Sequence, residues 1–326
     1  MIAGQAARRD IANLPRGAQG AGWPWEVEPV RPNSRANESI NWPRITIVTP
    51  SYNQAQYLEQ TIRSVLLQNY PNLEYIVLDG GSTDRSIDVI RKYEPWIDYW
   101  SSGKDGGQAK AIYSGFERAS GELVGWQNSD DLYLPGALHA LARCFITHPD
   151  ADLGIGGCLW IGPSGAALLS RRGYPLYYPG RNLGFREALL WGMGANQPAT
   201  LYRRAAFFET GGFDRSLHCC FDYDSILRLT KRRRAYAVHH PTACFRVHDA
   251  SKTTTQQEIF DREIQQIRDR FQADRRSRWS QNVARQFYCQ RDIWARRLLL
   301  LRLRLQNWGA LDPALRRCLS GQFALS

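Results

Sequence analysis

The sequence predicts an α/β protein: a mostly parallel central sheet flanked by helices, followed by a helical C-terminal extension. Three observations predict it. From residue 44 to about 130, short runs rich in β-branched residues alternate with helical patterns, as a parallel sheet covered on both faces requires. Those runs end in small polar or acidic residues, and in such sheets ligands collect at the carboxyl ends of the strands. From about residue 256 long helical patterns take over. The chain divides accordingly into an arm (1–43), an α/β segment (44–254) and a basic helical extension (255–326).

The arm is rich in Gly, Pro, Asn and Arg without a sustained period, and reads as an extended segment pinned by Trp23, Trp25 and Trp42. RITIVTP is a buried strand ending at a proline. In QAQYLEQTIRSVLLQ the residues Leu58, Ile62, Val65 and Leu66 fall at i, i+4, i+7 and i+8, one face of a helix. NLEYIVLDGG is a second strand with a glycine break. STDRSIDVIRKY is a short helix capped by Ser82 or Thr83. IDYWSS makes a third strand, GGQAKAIYSGFERAS a helix and GELVGW the fourth strand, after which LYLPG leads into another helix. Past residue 150 the pattern loosens. ADLGIGGCLWIG, QPATLYRR and AYAVHHPTACFRVH read as extended, GPSGAALL as a turn into a strand, and FDYDSILRLTKR as a helix with Asp222 and Asp224 in its first turn.

Bulk properties bound the function. The 326 residues suffice for one large domain with or without an appendage. No run of 18 apolar residues occurs, so a spanning helix is not expected. The stretch MIAGQAARRDIANLPRG has no apolar core of signal-peptide type. Seven cysteines, odd in number and without a Cys-x-x-Cys pair, argue against a zinc site or a disulfide framework and for a reduced, cytoplasmic setting. The net charge of +11 is uneven: residues 255–326 hold 14 Arg against 7 Asp or Glu. Such a segment fits an anionic surface, and fits a solvated Arg-rich helix equally well.

The chemistry lies at the strand ends. Asp79, followed by two glycines, lets the backbone approach a flat ligand while its carboxylate accepts hydrogen bonds from a base or ribose. Ser82, Thr83 and Asp84 also suit ordinary helix capping. Asp130 and Asp131 would repel each other in a cleft, and like charges so close raise one pKa strongly. A divalent metal would relieve that conflict and bind phosphates as well. There is no phosphate-binding Gly-x-x-x-x-Gly-Lys loop, no Gly-x-Gly-x-x-Gly fingerprint after the first strand and no Gly-x-Ser-x-Gly elbow.

The series ITIVTPSYNQAQYLEQTIRSVLLQNYPNLEYIVLDGGSTDRSIDVI, then GGQAKAIYSGFERASGELVGWQNSDDLYLPGAL, closely resembles the family 2 glycosyltransferases, nucleotide-sugar enzymes of the Rossmann-like GT-A fold. The resemblance runs through QPATLYRR, GGFD, FDYDSILRL and RVHDASKT, roughly residues 44 to 254. It implies that Thr49, Pro50, Ser51 and Asp79 line the nucleoside pocket, with Tyr52, Ser82, Gln108 and Ser129 completing the donor contacts. NSDD takes the place of the family's Asp-x-Asp motif, which holds metal and ribose. Asp130 is then the first metal ligand, with Asp131 beside it and His248 of RVHDASKT near the diphosphate. Asn128 replaces the motif's first Asp and brings less charge, so weaker metal affinity is expected. Asp222 matches the catalytic base of an inverting displacement, with Asp224 to orient it or simply to sit at the helix N-terminus. Phe221 stands where the family often has an acidic residue, Tyr113 stands where it commonly has Asn, and Gln197 is expected to face the acceptor groove.

What the resemblance implies is a metal-dependent (Mn²⁺ or Mg²⁺) transferase using a UDP- or dTDP-sugar, a glycan or lipid-linked acceptor, and a place in bacterial surface polysaccharide synthesis. The alternative is a catalytically inactive nucleotide-binding homologue acting as a membrane- or partner-binding protein. Against it stands the retention of Asp79, Asp130, Asp131 and Asp222. The run IWARRLLLLRLRLQNW (293–308) is too short and charged to span a bilayer. It suits an interfacial helix at the inner face of an anionic membrane, or one packed on the main segment or on a second subunit of a homodimer. Nucleic acid is not expected as a partner, since no helix-turn-helix or RNP-type motif accompanies the arginines.

Overall fold

Strand β1 (Ile45–Ser51) is buried along its whole length, as a strand must be when helices cover both faces of its sheet. Successive residues serve opposite cores, Ile45 and Ile47 one and Val48 the other. In β2 (Leu73–Asp79), Tyr75 and Val77 join the first core and Ile76 and Leu78 the second. The structure, a computed structural model, describes residues 10–15, 17, 23–25, 40–169, 176–191, 195–232 and 234–271.

β1 pairs in parallel with β2 and with β4 (Leu123–Trp126), and β3 (Tyr99–Ser102) adds in parallel to β2. Beyond β4 the sheet becomes mixed. β8 (Thr200–Arg203) runs antiparallel to β4 and to β6 (Ala151–Ile161), while β9 (Arg234–Arg246) lies parallel to β6. The short β5 (Leu132–Tyr133) pairs antiparallel with β9, and β7 (Tyr177–Tyr178) pairs with β6. The order is β3-β2-β1-β4-β8-β6-β9-β5, with β7 off this path. Parallel ladders carry most of the paired residues, as expected. Because β8 is antiparallel to both neighbours, β4, β6 and β9 point the same way as β1 and β2. Their carboxyl ends therefore share one edge.

Helices α1 (Ala55–Leu66), α2 (Ser86–Tyr93) and α4 (Ala137–Thr147) cover the first core, with Leu58, Ile62, Val65 and Leu66 all buried. The other face is covered by α3 (Gln108–Arg118), α5 (Phe185–Trp191), α6 (Arg204–Glu209), α7 (Phe221–Arg232) and α9 (Gln257–Arg270), with the single turn α8 (Lys252–Thr255) preceding α9. α3 approaches β1 so closely that a Cβ on Gly115 would lie 2.7 Å from the Val48 methyl carbons.

Two readings change, and one helix of the expected extension joins the core. The cap of α2 is neither Ser82 nor Thr83: the helix starts at Ser86, whose N–H donates to Asp84. LYLPG is not only a helix lead-in, because Leu132 and Tyr133 form β5 before Gly136 turns the chain with φ +76°. α9, beyond the expected end of the α/β segment, packs into the second core through the buried Ile267. The run 293–308 lies outside the described residues, and among those described no helix is long and apolar enough to cross a membrane. The five described cysteines, Cys144, Cys158, Cys219, Cys220 and Cys244, are buried and free. Among the described residues of the arm, Pro15, Pro24 and Trp25 offer their carbonyls to Arg63, fully buried on α1. Trp23 adds a bond from Nε1 to the Tyr133 carbonyl.

Candidate active site

The ends of β1 and β2 make the first wall. Asp79 is the last residue of β2, and its buried carboxylate closes the following loop. Oδ2 accepts from the N–H groups of Gly81 (3.0 Å) and Ser82 (2.9 Å) and from Ser102 Oγ (2.7 Å), and Oδ1 accepts from Ser82 Oγ. Gly81 permits this tight loop with φ +85°, a conformation that costs other residues. Ser82 Oγ also accepts from Asn53 N–H across the gap to the β1 loop. Thr49 Oγ1 shares a 3.0 Å hydrogen bond with the Tyr75 hydroxyl. Pro50 and Ser51 are buried, and Ser51 Oγ has no hydrogen-bond partner. Tyr52 is 62% exposed at the mouth.

The carboxylate pair is divided. Asp131 is 1% exposed, with Oδ1 accepting from Arg246 N–H (2.8 Å) and Oδ2 from Asn128 Nδ2 (3.0 Å). Burial, then the adjacent Asp130 charge, push its carboxyl well above the usual carboxylate range. Asp130 is turned outward, 3.0 Å from His248 Nε2. One carboxyl lies inside and one outside, and the buried Asp131 still feels the Asp130 charge. Asn128 joins the walls: Oδ1 accepts from Gln108 Nε2 (2.8 Å), and Nδ2 also donates to Gln197 Oε1 (2.9 Å). Gln197 in turn donates to the Trp126 carbonyl (2.7 Å), so it braces Asn128 from inside and does not face an acceptor groove. Ser129 is buried beside it.

Among the described residues no three His, Cys, Asp or Glu groups gather into a metal cluster. Asp130 and His248 nevertheless fit a divalent cation of the kind that keeps several waters and takes its other ligands from substrate phosphates. Asp131, with both oxygens engaged by protein donors, stands behind them.

Asp222 opens α7 and is 9% exposed; its Oδ1 accepts from Tyr223 N–H (2.7 Å). Burial raises its carboxyl from 3.8 to about 7, against the pull of that hydrogen bond and of Lys252. Burial likewise lowers the Lys252 ammonium, against Cys219, Glu263 and Asp222. The loop ahead of α7 is fixed by Glu263 of α9, which accepts from the N–H groups of His218 (2.7 Å), Cys219 (2.9 Å) and Cys220 (2.8 Å). Phe221 is buried in the second core, and the carboxylate that braces the loop before it, Glu263, comes from α9. Asp224 is fully buried and paired with Arg228 (2.8 Å) and Arg270 (3.1 Å), a brace between α7 and α9.

Two participants escaped the sequence reading. Arg246, buried at the end of β9, donates to the Asp130 carbonyl (2.8 Å), to Gln60 Oε1 (2.6 Å) and to the carbonyls of Gly162 and Pro163. Its place two residues before His248 was the one signal available. Glu263 gave none, lying 41 positions past Asp222 in a charged amphipathic helix.

The family model described as glycosyl transferase family 2 matches residues 46–211. An uncharacterized glycosyltransferase of Rickettsia typhi is 27% identical over 225 residues, 65% of this chain and 67% of that protein. The chondroitin synthase of Pasteurella multocida is 27% identical over 197 residues, 58% of this chain and 19% of the synthase. S. aureus TarS 1–349, solved in complex with UDP-GlcNAc, superposes with a TM-score of 0.52 at 18% identity, covering 69% of this chain and 66% of that one. That likeness is one of fold, the GT-A arrangement. The chain thus spans about two thirds of the Rickettsia protein and of TarS 1–349, and under a fifth of the synthase.

Proposed function

The chain belongs to glycosyl transferase family 2, and from that membership we propose that it transfers a sugar from a nucleoside diphosphate donor to a hydroxyl acceptor with inversion. The observation that carries the proposal is the convergence at one sheet edge: Asp79 ends β2, Asp130 follows β4, and His248 follows β9 to meet Asp130 at 3.0 Å. The unpartnered Ser51 Oγ and the loop held by Asp79 receive the nucleoside, with Tyr52 at the entrance. TarS with UDP-GlcNAc supports a uridine donor; a dTDP-sugar is the other candidate.

Asp130 and His248 would hold the divalent cation, Mn²⁺ or Mg²⁺, which supplies positive charge to the diphosphate leaving group. Asp222 accepts the acceptor hydroxyl's proton. The acceptor oxygen forms its bond to the anomeric carbon as the bond to the diphosphate breaks, and the diphosphate leaves with the electron pair. A carboxyl near 7 suits this work, because it is ionised in a useful fraction at neutral pH and neutral once protonated. Gln108, Asn128 and Gln197 hold the two walls in register. A glycan or lipid-linked glycan acceptor, a role in bacterial surface polysaccharide synthesis, and peripheral association at the cytoplasmic face of a membrane complete the proposal.

The test is a thermal-shift screen of nucleotide sugars with and without Mn²⁺, with Asp130→Ala as control. Stabilisation by one nucleotide class, larger with Mn²⁺ and reduced in the variant, is expected. No shift with any nucleotide sugar would refute the proposal.

A further inference from the structure

A cavity of about 90 Å³ opens between the start of α3 and the loop that precedes α7, lined by Gly106, Gln108, Lys110, Arg215, Ser216 and His218. Both walls belong to the site already described. Gln108 bonds Asn128, while His218 is held at its N–H by Glu263 and at its carbonyl by Lys252 (3.3 Å), four residues ahead of Asp222. The volume exceeds the ~10–15 Å³ that one water needs. It falls far below the ~300–1,000 Å³ of a pocket for a whole small ligand. The cavity therefore suits a substituent on a substrate bound next to it.

Two basic side chains reach it from opposite walls. Lys110 lies on α3 and Arg215 on the facing loop, where the Arg215 guanidinium stands 4.9 Å over the Tyr113 ring. Neither has a carboxylate partner among the described residues. The acidic residues flanking these walls in sequence bond residues of the lining and pair with neither cation. Asp105 Oδ1 accepts from Gly107 N–H, and Asp214 accepts from Ser216 at Oδ1 and pairs with Arg270 (2.9 Å) at Oδ2. Two exposed cations from different elements, neither paired with a carboxylate, thus face the same space.

We propose that this cavity receives an anionic substituent, a carboxylate or a phosphate, on the transferred sugar or on the acceptor, and that Lys110 and Arg215 select for it. The inference rests on the glycosyltransferase reading above and names its substrate class. Arg215 is suited to grip two oxygens at once, and Lys110 to act as a point charge.

The test uses the full chain with Mn²⁺. UDP, dTDP and GDP are titrated first, to find the nucleotide that binds. On that nucleotide a neutral sugar is compared with its uronate: UDP-glucose with UDP-glucuronate, dTDP-glucose with dTDP-glucuronate, or GDP-mannose with GDP-mannuronate. With the nucleoside diphosphate bound, glucose is compared with glucose 6-phosphate as an acceptor-side probe. In one of the two comparisons the anionic member is expected to bind on the order of 10- to 100-fold more tightly, an advantage that shrinks as salt rises. A donor-side preference places the anion on the transferred sugar, and an acceptor-side preference places it on the acceptor. Lys110→Gln with Arg215→Gln should abolish the preference while nucleoside diphosphate affinity stays within about twofold. Equal binding in both comparisons, or a preference that survives the double substitution, overturns the proposal and leaves the glycosyltransferase reading standing. Failure of all three nucleotides to bind overturns both.

Discussion

Replacing Asp222 by Asn should cripple transfer and at the same time stabilise the fold in alkaline solution. The side chain is 9% exposed, and burial moves its carboxyl from 3.8 to about 7. In the unfolded chain the group loses its proton near 4; in the folded chain it keeps it up to about 7. Between those values the native state binds more protons, so stability falls as pH rises and the full cost is reached above about pH 7. The gap of about 3 units corresponds to roughly 4 kcal/mol, a net figure in which Lys252 and the Tyr223 N–H already offset part of the burial. Asn is the same shape as the protonated acid and its Oδ1 can still accept from Tyr223 N–H. At pH 8 the variant should therefore be up to about 4 kcal/mol more stable than the parent, and at pH 4 nearly equal to it. Urea unfolding at intervals from pH 4 to 8.5 measures the difference. In parallel, the parent's kcat/KM should rise with pH and level off above about 7, and the variant should lose about 10²- to 10⁴-fold at neutral pH. A stability gap that does not change with pH, or a kcat/KM flat through neutrality, would refute the assignment of Asp222 as a buried base.

Asn128→Asp sets a third acceptor against Asp131 Oδ2 and Gln197 Oε1, both of which now take its N–H groups. The change should cost about 1–3 kcal/mol in urea unfolding, and a tighter Mn²⁺ dependence should appear only if the added charge reaches the cation; equal metal dependence in both proteins removes Asn128 as a determinant of metal affinity. Glu263→Ala leaves three N–H groups ahead of α7 without their acceptor and should cost roughly 3 kcal/mol or more with a fall in kcat, while Glu263→Gln, which keeps an accepting oxygen, recovers part of both. Equal kcat in parent and Glu263→Ala would show that this carboxylate does not position Asp222. Arg63→Ala releases the arm from α1, so limited proteolysis should cut within residues 1–43 at least several-fold faster; unchanged cleavage would place the arm's attachment elsewhere.

Most of the fold was legible because its causes are local. β-branched runs of strand length, and apolar residues spaced 3 and 4 apart, state which segments are strands and helices and which faces are buried, as β1, α1, β2 and α7 bear out. Local order was also enough to expect Asp79, Asn128 and Asp130 at the carboxyl ends of parallel strands. Errors occurred where capping and pairing depend on distant chain. Asp84 serves both Ser86 N–H and Ala55 N–H of another helix, and Leu132–Tyr133 is a strand only because β9 lies beside it.

By itself, the sequence determined that a parallel α/β sheet would gather carboxylates at one edge, because strand direction and residue order are enough to place strand ends. Which of those carboxylates would be open to a ligand was decided only by the tertiary structure. Asp130 and Asp131 are neighbours of the same chemistry, yet Arg246 N–H and Asn128 draw one inward while His248 meets the other outside. The charge state of Asp222 was settled in the same way, by the helices buried around it and by Glu263 arriving from α9. Burial and hydrogen-bond partners far away in the chain set a carboxyl's environment, and neither is written in the residues next to it.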